Sequence, residues 1–332
     1  MKIKQVAERA GVSQSTVSRF INDSGYISAE TRKRVEAAIE ELGFHIEDMR
    51  PLKTKRTYTV GVVVPQLDAE IPSRLIQQIT LSCQERGYHV ILANMDLDPE
   101  REIFCIRELC QRKVEGIIVV SMGITQEHIQ IVKKLSVPLV IIGQQDEALC
   151  CVTNDDYKAG RDAADFLIER QCRNFGLVSV EKKDPAVDAC CRGFYDFVYE
   201  GHRGAEVRRI MEGNSSEAAG YEAAKTVCEG TDAVFCSTDQ MACGVLRYMR
   251  ENQICVPEAC SIMGVGNHCI SQVISPPLTT IEYDQETIGA LAVEKLFLQI
   301  ESGKKEIGVT FVPYTIIERG TTRDEEGNHN NR

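Results

Sequence analysis

With 332 residues the chain is long enough for two or three domains, and 43% hydrophobic with 26% charged residues is the balance of an ordinary soluble globular protein. No apolar run approaches the ~18 residues of a membrane span and the opening MKIKQVAERA lacks an apolar signal core, so neither a membrane nor an exported protein is expected, and the fourteen cysteines read as thiols of a reducing, cytoplasmic protein. The net charge of −11 argues against nucleic acid for the chain as a whole, but residues 1–57 hold 11 Lys and Arg against 8 Asp and Glu, a net of +3, and the remainder is at −14.

The first predicted element is a helix with Ile3, Val6, Ala7 and Ala10 at helical spacing, broken at Gly11. Ser13 caps a second helix, Gln14 to Ile21, that buries Val17, Phe20 and Ile21. A polar loop from Asn22 to Gly25 follows. Ser28 opens a third helix through Leu42, with Val35, Ala38, Ile39 and Leu42 as its apolar stripe and Gly43 as its stop. Residues 45–58 are charged, hold Pro51 and read as a hinge or linker.

From Thr59 apolar β-branched runs alternate with amphipathic helices. Strands are expected at Val60–Val64, Val90–Ala93, Gly116–Val120, Leu139–Ile142, Gly176–Val180, Ala233–Cys236 and Ser261–Val265. Helices are expected at Pro72–Arg86, Glu100–Arg112, Asp156–Glu169, Ser216–Glu229 and Gln240–Asn252. This is α/β patterning for parallel sheets covered on both faces, and some 260 residues of it fits two lobes with a cleft between them better than one sheet. The polar tail, Thr321–Arg332, is expected to be disordered.

Two helices joined through Ala10-Gly11-Val12-Ser13 make a helix-turn-helix. The outer face of the second offers Gln14, Ser15, Thr16, Ser18, Arg19 and Asn22, and no carboxylate falls between Arg9 and Asn22. Short hydrogen-bonding side chains plus a guanidinium suit base edges and phosphates in a major groove; the competing reading is three structural helices at a terminus. The run from Val6 to Asn22 and the run from Ser28 to Gly43 resemble the headpiece of the lactose-repressor (LacI/GalR) family of bacterial transcription regulators. In the body Val60-Gly-Val-Val-Val-Pro65, Asp239-Gln-Met-Ala-Cys-Gly244 and Pro276-Pro-Leu-Thr-Thr-Ile281 agree. The resemblance implies that Gln14, Ser15 and Arg19 meet bases, while Thr16, Ser18, Asn22, Tyr26, Ser28 and Thr31 position the duplex by its backbone. It also implies a hinge helix pushing Leu52 into the minor groove, although Pro51 is awkward there and a plain tether is the alternative.

The body shows no G-x-x-x-x-G-K-[ST], G-x-S-x-G, H-E-x-x-H or C-x-x-C, so no enzyme chemistry, metal or cofactor is expected. Adjacent Cys150-Cys151 and Cys190-Cys191 are poorly placed to grip one zinc, and the cysteines read as small apolar fillers, with thiol redox sensing as the alternative. The resemblance implies a periplasmic-binding-protein-like body, with lobes at about 59–154 plus 283–315 and 155–282 plus 316–320. The chain would cross between them near Thr153–Asp155, Ile281–Tyr283 and Tyr314–Glu318.

Polar residues just after strands are then the cleft candidates: Gln66, Asp68, Ser121, Asp155, Asp156, Lys182, Thr238, Asp239 and Asn267, with Cys190 and Arg192 as further effector candidates. Asp156 and Asp239 stand before helices and read first as caps. Ile142-Gly-Gln-Gln145, Asn154-Asp-Asp-Tyr157 and Gly264-Val-Gly-Asn267 place the chain nearest the sucrose and trehalose repressor branch. Yet Gly266 and Cys190 stand where relatives carry the Asp and Arg that grip sugar hydroxyls, which leaves a phosphate on Lys182 or Arg192 as one option.

The expectation is a homodimeric regulator, a repressor of carbohydrate use, that reads a pseudo-palindromic double-stranded DNA operator under control of a sugar or sugar phosphate. The rivals are a carbohydrate-binding protein or metabolic enzyme with the same body, or a regulator answering a non-sugar or redox signal.

Overall fold

The computed structural model describes residues 2–21, 25–44, 56–67, 70–180, 184–201, 207–212 and 214–324, which fall into two units, 1–57 and 58–332. In the smaller unit α1 (Lys2–Ala10), α2 (Gln14–Ile21) and α3 (Ala29–Glu41) enclose a core of Val6, Ala10, Val17, Phe20, Ile21, Val35 and Ile39. Gly11 turns the chain at φ +63°, where a side chain would be strained and would meet Arg34. The Arg34 guanidinium donates to the Ala10 and Gly11 carbonyls (2.6 and 3.1 Å), so α3 satisfies the open end of α1 and holds the turn. Ser13 accepts from the Thr16 amide at 3.1 Å, and Ser28 from the Thr31 amide at 3.3 Å, as caps of α2 and α3.

The larger unit holds two six-stranded sheets. β1 (Thr59–Val64), β2 (His89–Asn94), β3 (Gly116–Val120), β4 (Leu139–Ile142), β5 (Cys150–Thr153) and β11 (Gly308–Phe311) form the first, in the order β11-β5-β4-β3-β1-β2, all parallel. The second holds β6 (Phe175–Val180), β7 (Val207–Glu212), β8 (Ala233–Cys236), β9 (Ser261–Val265), β10 (Thr279–Tyr283) and β12 (Tyr314–Ile317). Its order is β12-β10-β9-β8-β6-β7, parallel except where β12 runs back along β10.

Each sheet is buried on both faces, which is why its strands are continuously apolar rather than alternating. Leu75 and Ile79 of α4 (Glu70–Gln84) and Ala292 and Leu296 of α12 (Gln285–Ser302) cover one face of the first sheet. Ile103, Ile106 and Leu109 of α5 (Pro99–Gln111) cover the other, beside α6 (Gln126–Lys134). On the second sheet, α7 (Asp156–Glu169) and α8 (Pro185–Gly201) pack on one face, with Leu167 and Phe194 at the centre. α9 (Glu217–Val227) and α10 (Asp239–Glu251) pack on the other. The short α11 (Cys269–Val273) follows β9.

α7 and α8 approach at paired glycines: a Cβ on Gly160 would strike the Cys190 carbonyl, and one on Gly193 the Tyr157 carbonyl. Gly220 and Gly244 do the same for α9 and α10.

All seven expected strands are present. β5, β7, β10, β11, β12 and helices α6, α8, α11 and α12 were not anticipated. β7 carries Arg208, Arg209 and Glu212 because it is an edge strand, which hides it from a search for apolar runs. The crossing expected at Ile281–Tyr283 is the end of β10, and the chain passes to α12 just beyond it. The crossing expected at Tyr314–Glu318 falls earlier, at 312–313, between β11 and β12. The tail expected from Thr321 onward starts inside the body. Thr321 and Thr322 are buried, Thr321 exchanges hydrogen bonds with Ile262 and Thr279, and Arg323 donates to the Pro257, Glu258 and Ala259 carbonyls. Polar residues are at home there because each hydroxyl is paired.

Candidate functional site

The C-terminal ends of both sheets open on one cavity of about 350 Å³. From the first sheet it takes Val120–Met122 after β3 and Ile142–Gln144 after β4. From the second it takes Thr238 after β8, Val265 after β9 and Tyr283 at the end of β10. Asp184 and Val187 bring in the start of α8. Pro72, Leu75, Leu97 and Ile288 complete an apolar wall. No Lys or Arg among the described residues lines the cavity, whereas Asp156 and Asp184 both do.

Asp155 caps α7, accepting the Lys158 amide at 3.0 Å, which frees Asp156 to face the cavity. Burial pushes the Asp156 carboxyl up to about 7, against the pull of the Tyr283 hydroxyl, and the charge of nearby Asp184 adds to the rise. Asp184 accepts the Ala186 amide at 2.9 Å and is raised as well, burial outweighing the Ala186, Val187 and Gln144 donors. Gln144 follows a strand of the first sheet, where its side-chain amide donates to the Ser121 carbonyl at 3.3 Å, and Asp184 precedes a helix of the second, so the two face the cavity from different sheets.

Beneath the wall, buried Glu102 accepts from the Ser121 hydroxyl and from His128 Nε2, both at 2.8 Å. The Thr125 amide donates to His128 Nδ1 at 3.1 Å, which leaves the ring proton on Nε2. The carboxylate sits in the middle of this trio, so it holds Ser121 in place and does not arm it as a nucleophile.

Of the residues expected in the cleft, Ser121, Asp156, Cys190 and Thr238 line the cavity. Asp68 and Lys182 lie outside the described residues. Gln66 follows the lining residue Pro65 and does not itself line the cavity, and Asp155 is the helix cap. Arg192 is exposed, its guanidinium over the Tyr157 ring at 5.6 Å, away from the cavity.

Asp239 is fully buried as scaffold: it accepts from Thr280 Oγ1 at 2.6 Å and from the His268 amide at 2.8 Å, while Thr238 caps α10. Asn267 bridges Glu282 and Arg319 at 2.8 and 2.6 Å. The cap readings of Asp156 and Asp239 were thus each one residue off: Asp155 and Thr238 are the caps. Asp184, Tyr283, Gln144, His268 and Gln285 were not expected as lining. The Asp184-Pro185 pair, a cap before a first-turn proline, is the one local signal that could have marked a helix start there.

Cys190 lines the cavity with its thiol pushed well above the usual range by burial, as burial pushes Cys83, Cys151 and Cys191 to about 11. These thiols stay protonated and serve as apolar filler.

In the smaller unit α2 turns Val17, Phe20 and Ile21 inward and leaves Gln14, Ser15 and Arg19 exposed, with Thr16 and Ser18 half-buried. Ser13 joins the Ser15 and Thr16 hydroxyls at 2.7 and 2.8 Å. Arg19 has no ion-pair partner among the described residues, while Arg9 pairs with Glu41. Tyr26 is 92% exposed, and Ser28 and Thr31 are tied to each other by the cap of α3. Asn22 and Leu52, with the hinge around Pro51, lie outside the described residues.

Two family models match: bacterial regulatory proteins of the lacI family over residues 2–46, and a periplasmic binding protein-like domain over residues 164–322. Catabolite control protein A of Priestia megaterium is 30% identical over 97% of this chain and 99% of its own. The lac repressor dimer bound to operator and the anti-inducer ONPF superposes with a TM-score of 0.74 at 25% identity, covering 96% of this chain and 98% of that one. The transcriptional regulator CelR in complex with cellobiose superposes at 0.70, also at 25% identity, over 96% and 99%. With a lacI-family headpiece at its start and a relative 30% identical over nearly its whole length, the chain belongs to the LacI family of bacterial regulatory proteins.

Proposed function

We infer that this chain is a sequence-specific DNA-binding transcription regulator, a repressor, whose grip on its operator is set by a small molecule in the cavity between the two sheets. The observation that carries this reading is one chain holding both parts. α2 presents Gln14, Ser15 and Arg19 outward, and the body closes a ligand-sized cavity at strand ends. It works as a cytoplasmic homodimer on a pseudo-palindromic site, two headpieces meeting two half-sites. The regulated genes are of carbohydrate use, in line with the cellobiose held by the CelR neighbour. Ligand that favours one lobe arrangement changes the fit of two headpieces to DNA by a coupling of typically ~1–3 kcal/mol.

Fluorescence anisotropy of the full chain on operator-like duplexes tests this, with residues 58–332 as the control. Salt-sensitive binding by the full chain alone, shifted by a cavity ligand, is expected. Equal behaviour of the two proteins sinks the reading.

A further inference from the structure

The cavity wall has an unusual balance for a site that holds an uncharged polyol or a phosphate. Asp156 and Asp184 are two carboxylates close enough for the charge of one to bear on the other, and no Lys or Arg among the described residues lines the same space. Among the described residues nothing there would neutralise a phosphate. A polyol would find acceptors but no guanidinium donor for its own oxygens.

A second, independent observation comes from the other lobe. Gln285, 8% exposed at the start of α12, lines the cavity with its side-chain amide unpartnered among the described residues. Its carbonyl and amino groups are therefore open for a ligand in the cavity. The rest of the wall is apolar: Pro72, Leu75, Leu97 and Ile288 on one side, Val187 and Val265 on the other.

We propose that the cavity takes a small ligand bearing a protonated amine, its cation between Asp156 and Asp184, its apolar body against the Leu75–Ile288 wall, and a polar atom on Gln285. An ammonium is the group that two nearby carboxylates in an apolar pocket lack. The inference rests on the reading that this cavity is the effector site, and it names the chemistry of what enters.

Matched ligands test it on the full-length protein by calorimetry: glucosamine, glucose and glucose 6-phosphate, then phenethylamine and 2-phenylethanol. Each amine is expected to bind about tenfold or more tightly than its neutral partner, the gain typical of one charge-assisted hydrogen bond. Asp156→Asn should bring that ratio close to one while its thermal midpoint stays at or above that of the unaltered chain. Glucose binding as well as glucosamine, 2-phenylethanol binding as well as phenethylamine, a preference for the phosphate, or silence of both amines at millimolar concentration each overturns the proposal. Operator affinity is measured alongside. A neutral sugar that shifts it while the amines do not would defeat the amine and keep the effector site, and loss of all DNA binding would defeat the regulator while leaving the amine preference standing.

Discussion

At the residue scale, Asp156 and Arg19 show most plainly how environment sets a role. Asp156 starts from an ordinary value of 3.8 and is held at about 7 in the fold, so between those values the folded chain keeps a proton that the unfolded chain releases. Stability without ligand therefore falls as pH rises across that window, and above 7 the full cost of a buried charge is present. Asp156→Asn removes the titrating group, so its thermal midpoint should exceed that of the unaltered chain at pH 8 and the gap should shrink towards pH 4. A gap constant with pH would mean the carboxyl is not held protonated. Arg19 is the opposite case, an exposed cation with no ion-pair partner among the described residues. Arg19→Ala should cost about 1–3 kcal/mol of operator affinity if the guanidinium reads a base, measured as a loss confined to the cognate sequence. An equal loss on every duplex would assign it to phosphates.

At the scale of elements, what matters is how closely helices approach and how their ends are satisfied. α7 and α8 meet at Gly160 and Gly193, where each backbone occupies the space a Cβ would need. Gly160→Ala should therefore destabilise the chain by about 1–3 kcal/mol through overpacking, read from chemical denaturation, although alanine is the better helix former. It should also disturb ligand binding, because the same helices carry Asp156 and Cys190 to the cavity. A neutral or stabilising result would show that the helices can separate freely. In the headpiece, Ser28 holds the Thr31 amide at the start of α3. Ser28→Ala should cost about 1 kcal/mol of headpiece stability, seen as a lower midpoint for a protein of residues 1–57.

At the scale of the whole molecule, the two units have separate cores: Val17, Phe20 and Val35 in one, and four clusters flanking the two sheets in the other. A protein of residues 58–332 should therefore fold and bind a cavity ligand with unchanged affinity while losing DNA binding. A ligand at 100 times its dissociation constant should stabilise that fragment by about 2.7 kcal/mol, visible as a raised thermal midpoint. Failure of the fragment to fold would mean that the headpiece completes the body.

The headpiece was legible in the sequence because its signals are local. Ser13 and Ser28 as caps, Gly11 in the turn and the apolar stripe of α3 all act within a few residues of themselves, and the structure places each as expected. The buried strands were legible for a related reason: a strand covered on both faces must be apolar throughout. The edge strand β7 and β12, which runs back along β10, escaped because their places in the sheet follow from what packs on them.

The cavity was less legible. Neighbouring side chains on a helix point about 100° apart, so the choice between Asp155 and Asp156, or Thr238 and Asp239, depends on helix phase. That phase is set by packing, as at Gly160 and Gly193, between segments far apart in the chain. Gln144 and Asp184 come to line one space, and Gln285 becomes a lining residue, only when the second lobe closes over the first. The sequence by itself determined the elements and the headpiece, whose interactions are short in chain distance. The tertiary structure decided which acids face the cavity, because burial and the neighbouring charge exist only once α7 and α8 have packed together on their sheet.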